Sequence, residues 1–240
     1  MPYLVYCIMK GAVFGGNPIT GVKGKEVSFV TGNGLCAAVS EMSSVEDAPP
    51  VSELLAYGKV VEDLHRLKAV VPLRYGCFLD GVPDIQRILK ERKRQYENLL
   101  EELKGHVEMG IRILLPEQEA KPQQEEQPVN GRNYLLQRKA HYRMTDETSH
   151  LHQILLNRYI QAFSGLYDKY RTETDAKGGF VVLSLYFLIP ESTVNLFRES
   201  FQRVVDDGSS KTLISGPWPP YNFVTPDLTP DDGTGLLRDR

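Results

Sequence analysis

Phe180-Val181-Val182-Leu183-Ser184-Leu185-Tyr186-Phe187-Leu188-Ile189 is an almost unbroken apolar run. A half-exposed strand alternates apolar with polar side chains, whereas a strand covered on both faces reads this way, so the run predicts a central strand. Gly178-Gly179 precedes it, and Pro190-Glu191 opens a helix whose apolar face is Val194, Phe197, Phe201 and Val204. Lys211 to Ser215 reads as a closing strand. Upstream, helical spacing runs through Leu151, Ile154, Leu155, Ala162, Phe163, Leu166, Tyr167 and Tyr170, and Val107 to Leu115 is a strand. With room for one more strand at Arg171 to Lys177, residues 107–216 have the order of a split βαβ, ferredoxin-like sandwich.

The N-terminal part mixes strands and helices differently. Tyr3 to Met9 is a strand, and Glu26 to Val30 and Leu35 to Met42 form a hairpin about Thr31-Gly32-Asn33-Gly34. Val51 to Lys68 is a helix with one buried face, on Leu54, Val60, Val61, Leu64 and Leu67. Val70 to Phe78 returns to strand. From Pro83, apolar residues at Ile85, Ile88, Leu89, Tyr96, Leu99, Leu100 and Leu103 predict one long amphipathic helix, closed by Gly105. Glu117 to Val129 is rich in Gln, Glu and Pro, too polar to bury, and reads as a surface loop. These shifts predict an α+β protein of two domains, 1–105 and 106–224, the second ferredoxin-like with long helices, followed by an acidic, proline-containing tail at 225–240.

The 240 residues carry 41% hydrophobic and 25% charged side chains and a net charge of −3. That is ordinary for a globular protein and gives no electrostatic reason to expect nucleic acid. The charged run Lys90-Glu91-Arg92-Lys93-Arg94, followed by Glu97, Glu101 and Glu102, reads as a solvated helix face. No apolar run approaches the roughly 18 residues that span a bilayer, and Met1 to Cys7 lacks a leader pattern, so the expected location is the cytoplasm. Cys7, Cys36 and Cys77 lie in apolar strand-like runs without metal-ligand spacing and read as buried free thiols. His150 and His152 are two apart, and His65, His106 and His141 are isolated, so neither a metal site nor a cofactor is expected. No nucleophile elbow, phosphate loop or dinucleotide fingerprint appears, and no catalytic residue is assigned.

Two segments are not explained by composition. Val71-Pro72-Leu73-Arg74-Tyr75-Gly76-Cys77-Phe78 sets Pro72 and Gly76 inside a strand, which implies an edge and a close backbone approach. Gly216-Pro217-Trp218-Pro219-Pro220-Tyr221-Asn222-Phe223 packs the one Trp of the chain and three prolines into eight residues. Prolines remove backbone donors, so this string is a stiff extended element, either a clamp on its own fold or a ligand presenting Trp218, Tyr221 and Phe223. Its place after the last strand of the second domain favours a clamp that pins the chain exit there.

These residues carry a family resemblance. The string resembles the Gly-Pro-Trp-Pro-Pro-Tyr-Ser-Phe signature that closes the second domain of the gas vesicle accessory proteins F and L. Pro72-Leu73-Arg74-Tyr75-Gly76 is similar to that family's Pro-x-Arg-Phe-Gly strand, and Gly131-Arg132-Asn133-Tyr134-Leu135 to its Gly-x-x-Tyr-Leu helix opening. All three occur in the family's order. Departures are Cys77 in place of Thr or Val, Asn222 in place of Ser, and the tail from Thr225 to Arg240.

The resemblance implies two α+β domains, the second a modified ferredoxin-like fold, in a cytoplasmic, vesicle-associated protein. It further implies a non-enzymatic role in gas vesicle assembly, with contacts to the hydrophobic major shell protein and to other accessory proteins. Residues carrying the signature, for binding or for structure, are Pro72, Arg74, Tyr75, Gly76, Gly131, Tyr134, Gly216, Pro217, Trp218, Pro219, Pro220, Tyr221 and Phe223. The alternative is a ferredoxin-like enzyme or small-ligand regulator using a cleft between domains. RNA binding by the sheet would need basic residues in Phe180 to Ile189, which has none.

Overall fold

A hairpin built on Asn33-Gly34 organises the N-terminal sheet. In the computed structural model, which describes residues 1–11, 18–43, 48–116, 150–177, 179–205 and 211–224, both residues have positive φ (55° and 83°) between strands β2 (Ser28–Gly32) and β3 (Leu35–Glu41). Positive φ at both central positions is the type I′ geometry whose twist matches paired strands. Strand β1 (Tyr3–Lys10) pairs antiparallel with β3, and on its other side with β4 (Val70–Pro72) and β5 (Phe78–Leu79), giving the order β2-β3-β1-β4.

Six consecutive residues of β1 and six of β3 are buried, so both faces of this antiparallel sheet are covered. One face belongs to helix α1 (Val51–Leu67), whose Tyr57, Val60, Val61 and Leu64 join Leu4, Cys7, Met9, Cys36 and Ala38 in a single cluster. The alternate residues Val5, Ile8, Ala37 and Val39 are equally buried outside that cluster. Helices α2 (Val82–Glu91) and α3 (Lys93–Glu102), which lie against β1 to β4, bury Ile85, Ile88, Leu89, Tyr96, Leu99 and Leu100.

Three sequence expectations change here. The single helix from Pro83 to Leu103 is two, joined at Arg92, because the six residues 90–95 (Lys-Glu-Arg-Lys-Arg-Gln) offer no apolar side chain to hold that turn on the sheet. On α1 the buried face centres on Tyr57 to Leu64, and Leu54 and Leu67 are exposed. The strand 70–78 is interrupted, since Arg74-Tyr75-Gly76 loops out between β4 and β5 while Leu73 N–H and Cys77 C=O still bond β1 at Tyr6 and Val5.

Gly76 sits at φ 101°, with open space where a Cβ would go. Replacing it with alanine therefore adds backbone strain without a clash, and Gly76→Ala is expected to cost about 1–2 kcal/mol in urea unfolding. A destabilisation near zero would show that the loop relaxes freely.

The chain forms two compact units, Met1–Glu108 together with the chain from Pro217, and Met109–Gly216. The second unit holds the antiparallel sheet β7-β8-β6-β9, from β6 (His106–Pro116), β7 (Lys169–Lys177), β8 (Phe180–Pro190) and β9 (Lys211–Trp218). Helix α4, described over 150–162, lies between β6 and β7 in sequence, and α5 (Val194–Val205) between β8 and β9. This is the β-α-β-β-α-β, ferredoxin-like order expected from the sequence, with β8 an inner strand.

Phe163 stacks on Phe197 at 4.2 Å, with Phe187 5.3 Å from Phe197, and Leu156, Ile160, Leu183, Leu185 and Phe201 complete the core. Helical spacing through Tyr170 overreaches: Gly165 has φ 82°, helix gives way to β7 at Lys169, and Tyr167 and Tyr170 belong to the aromatic group around Phe187.

Candidate functional site

The N-terminal signature segment lies opposite a β-bulge. The β1–β3 register steps from Val5↔Val39 to Cys7↔Ala38, leaving Tyr6 as the extra residue. A bulge re-aims its side chain, and the Tyr6 hydroxyl turns inward to donate to Ser40 Oγ (3.0 Å) and accept from Val22 N–H (3.0 Å). Facing the bulge, the excursion of Arg74-Tyr75-Gly76 interrupts the ladder. The Tyr57 hydroxyl fills that gap, within 2.9 Å of the Val5 and Leu73 carbonyls and 3.2 Å of the Tyr6 carbonyl. Burial pushes the Tyr57 hydroxyl well above its ordinary pKa, so it remains a donor. Its ring stacks on Tyr6 and meets Tyr75 edge-on, and the Tyr75 hydroxyl donates to Glu53 (3.1 Å).

The proline-rich string ends at this place. Pro220, at φ −78° and ψ 65°, centres an inverse γ-turn closed by Tyr221 N–H to the Pro219 carbonyl (2.8 Å). A short 3-10 turn, Tyr221–Phe223, follows. Tyr221 packs against the cluster of Tyr57 and Cys7, and burial raises its hydroxyl pKa. Asn222 is gripped by the buried carboxylate of Glu108, which accepts its backbone N–H (2.8 Å) and its side-chain amide (2.6 Å). The same amide's oxygen accepts from Arg74 Nη2 at 3.3 Å. The signature's two halves, 148 residues apart, are thus joined by Arg74 and Asn222.

The expected residues separate into anchors and exposed groups. Pro72, Pro219, Pro220 and Phe223 are buried, Tyr75, Gly76, Gly216 and Tyr221 are half-buried, and Arg74, Pro217 and Trp218 are exposed. Gly216 has φ 106°, a conformation that favours glycine. Gly131 and Tyr134 lie outside the described residues. The string's described contacts, Tyr221 on the core cluster and Asn222 on Glu108 and Arg74, are with the N-terminal unit, whereas the sequence pointed to the sandwich that the string follows. Trp218 is 44% exposed.

Glu108, Tyr57 and Tyr6 went unassigned in the sequence. For Glu108 there was a signal: it is the one acid in a strand whose residues from Val107 to Leu115 are otherwise uncharged except for Arg112, and an acid buried there demands a partner. Cys7, Cys36 and Cys77 are buried free thiols, and burial pushes Cys36 up to about 11, far from a reactive thiolate. Among the described residues no group of three His, Cys, Asp or Glu is placed to hold a metal ion, and no helix is long and apolar enough to cross a membrane.

The features define an α+β protein of two antiparallel sheets whose signature residues secure the chain's return to its N-terminal unit. The family described as gas vesicle synthesis protein GvpL/GvpF matches residues 2–225, and the chain belongs to that family. It is similar to gas vesicle protein F1 of Halobacterium salinarum, 23% identical over 215 residues covering 86% of this chain and 85% of that one. It is also similar to gas vesicle protein L of a Streptomyces species, 26% identical over 181 residues covering 70% and 67%. In structure it is similar to GvpF from Microcystis aeruginosa, with TM-score 0.76 and 17% identity over 92% of this chain and 98% of that one. GvpF from an Anabaena species gives TM-score 0.74 and 16% identity over 93% and 96%. At these identities the two crystal structures speak to the fold. Family membership places the protein in gas vesicle synthesis, in an accessory role.

Proposed function

We propose that the protein is a non-enzymatic accessory component of gas vesicle assembly, cytoplasmic and vesicle-associated, that binds the hydrophobic major shell protein and other accessory proteins. The observation that carries this reading is the start of α1. Val51, Leu54 and Leu55 stand at i, i+3 and i+4 on the helix and are 70%, 43% and 68% exposed. That spacing puts three apolar side chains on one helix face, where water rather than the sheet covers them. A cluster of this kind marks a contact surface. Glu53, between them, holds Tyr75 of the signature segment, so the exposed turn is tied to a rigid base.

A small apolar shell subunit needs its surface shielded before it joins a wall, and an apolar patch on a polar carrier supplies that. Arg74 and Trp218 are exposed on the same unit and are the proposed polar and aromatic flanks, since Trp and Arg concentrate interface energy.

Co-purification of the full chain with the major shell protein tests the proposal. Leu54→Asp with Leu55→Asp is expected to lower shell-protein recovery about tenfold, and Trp218→Ala or Arg74→Ala to lower it less. Unchanged recovery by folded Leu54/Leu55 variants would remove this surface from the account.

A further inference from the structure

β7 is an edge strand, and it is built unlike the edges at β4 and β9. It runs nine residues, Lys169-Tyr170-Arg171-Thr172-Glu173-Thr174-Asp175-Ala176-Lys177, paired with β8 throughout without a register shift. All side chains from Lys169 to Ala176 are exposed, and among the described residues no strand lies on its outer side. The opposite edge, β9, is broken by Gly216 at φ 106° and by Pro217, and β4 is three residues long and ends in Pro72. Those are ordinary ways of blunting an edge; β7 has neither proline, glycine nor bulge.

From Lys169 to Asp175, ahead of the terminal Lys177, its charges are ordered as two bases followed by two acids at alternate positions: Lys169, Arg171, Glu173 and Asp175. We propose that β7 pairs antiparallel with β7 of a second copy of this chain, about a two-fold axis at Thr172. In that register Lys169 faces the partner's Asp175 and Arg171 faces the partner's Glu173. Symmetry repeats each pair, so four opposite-charge pairs form along one face. On the other face Tyr170 meets the partner's Thr174, and the two Thr172 side chains meet at the axis.

Competing arrangements are disfavoured by the same charges. A parallel pairing sets every base against its own copy and every acid likewise. Moving the axis by one residue to Arg171 or Glu173 brings two like charges together at the axis. The strand therefore rejects other registers while remaining complementary to itself. Within its own sheet Arg171 opposes Tyr186, whose hydroxyl donates to Glu173 at 3.2 Å, and Asp175 opposes the apolar Val182.

Sedimentation velocity on the full chain, over a range of protein and salt concentrations, tests this. Wild type is expected to show a monomer–dimer equilibrium that weakens as salt rises. Arg171→Glu and Glu173→Arg each set four acids or four bases in the pairing stretch face to face, and each is expected to weaken self-association about tenfold or more. Mixing the two variants restores opposite charges at those positions and is expected to give a heterodimer, as is the doubly exchanged chain with itself. Circular dichroism confirms folding of each variant, including Glu173→Arg, which loses the Tyr186 hydroxyl as a donor to its carboxylate. A wild type monomeric at every concentration would mean the charges only guard the edge, and a dimer indifferent to either reversal would place the interface elsewhere. Both outcomes overturn the proposal.

Discussion

Phe197→Ala is expected to destabilise the protein by about 3–5 kcal/mol, the usual range for emptying a buried aromatic site. Phe197 is fully buried and stacked on Phe163 at 4.2 Å, with Phe187 on its flank at 5.3 Å. Those two neighbours come from different elements, the turn that ends α4 and strand β8, so neither can follow the retreating side chain without leaving its own turn or ladder. The cavity therefore persists, and the lost transfer energy is joined by lost dispersion contact. Against a typical stability of about 5–15 kcal/mol, such a loss brings the second unit near its unfolding threshold at moderate temperature. Urea unfolding followed by far-ultraviolet circular dichroism measures it. Phe197→Leu keeps most of the volume and is expected to lose less than about 2 kcal/mol. Equal losses for Leu and Ala would mean that ring stacking, not volume, dominates the site.

Glu108→Ala is the second large effect, expected at about 2–4 kcal/mol. The carboxylate is 4% exposed and accepts both the backbone and the side-chain N–H of Asn222, and each bond to a charged acceptor contributes roughly 1.5–3 kcal/mol when broken. Removing the acid costs less than the sum, because its own burial penalty is relieved as well. Local consequences exceed the global one: Tyr221 and Phe223 lose the tether that seats them, so cleavage by a protease after Tyr221 is expected to accelerate before global unfolding.

Asn222→Ser provides a graded control. Serine keeps the backbone bond to Glu108 but cannot reach both Glu108 and Arg74 as the amide does, so a loss of about 1 kcal/mol is expected. Protease resistance unchanged in Glu108→Ala would show that the prolines alone hold the segment.

Much of the fold was legible in local patterns. Phe180 to Ile189 announced an inner strand because only a strand covered on both faces tolerates so few polar residues, and Thr31-Gly32-Asn33-Gly34 announced a hairpin, whose turn the structure narrows to Asn33-Gly34 in type I′ geometry. The errors arose where spacing persisted without a continuous element. Tyr167 and Tyr170 keep helical spacing because their rings are drawn to Phe187, not because the backbone is helical. Leu54 and Leu67 extend the period of α1 beyond the sheet that could cover them. Periodicity records what a residue could bury, and the length of the opposing layer decides what it does bury.

The candidate site was legible as motifs but not as geometry. Gly216 to Phe223 and Pro72 to Gly76 stood out by composition, yet the link between them runs through Glu108, Asn222 and Arg74, which are far apart in sequence. Composition grouped Trp218, Tyr221 and Phe223 without ranking them, whereas in the structure Phe223 is buried, Tyr221 packs on the core cluster and Trp218 remains exposed. Local sequence by itself determined most strands and helices, the family and the stiffness of the terminal string, because proline, glycine and hydrophobic spacing act through the nearest few residues. Only the tertiary structure decided which unit receives the string and which aromatics face water, because those outcomes depend on a buried carboxylate meeting an amide 114 residues away.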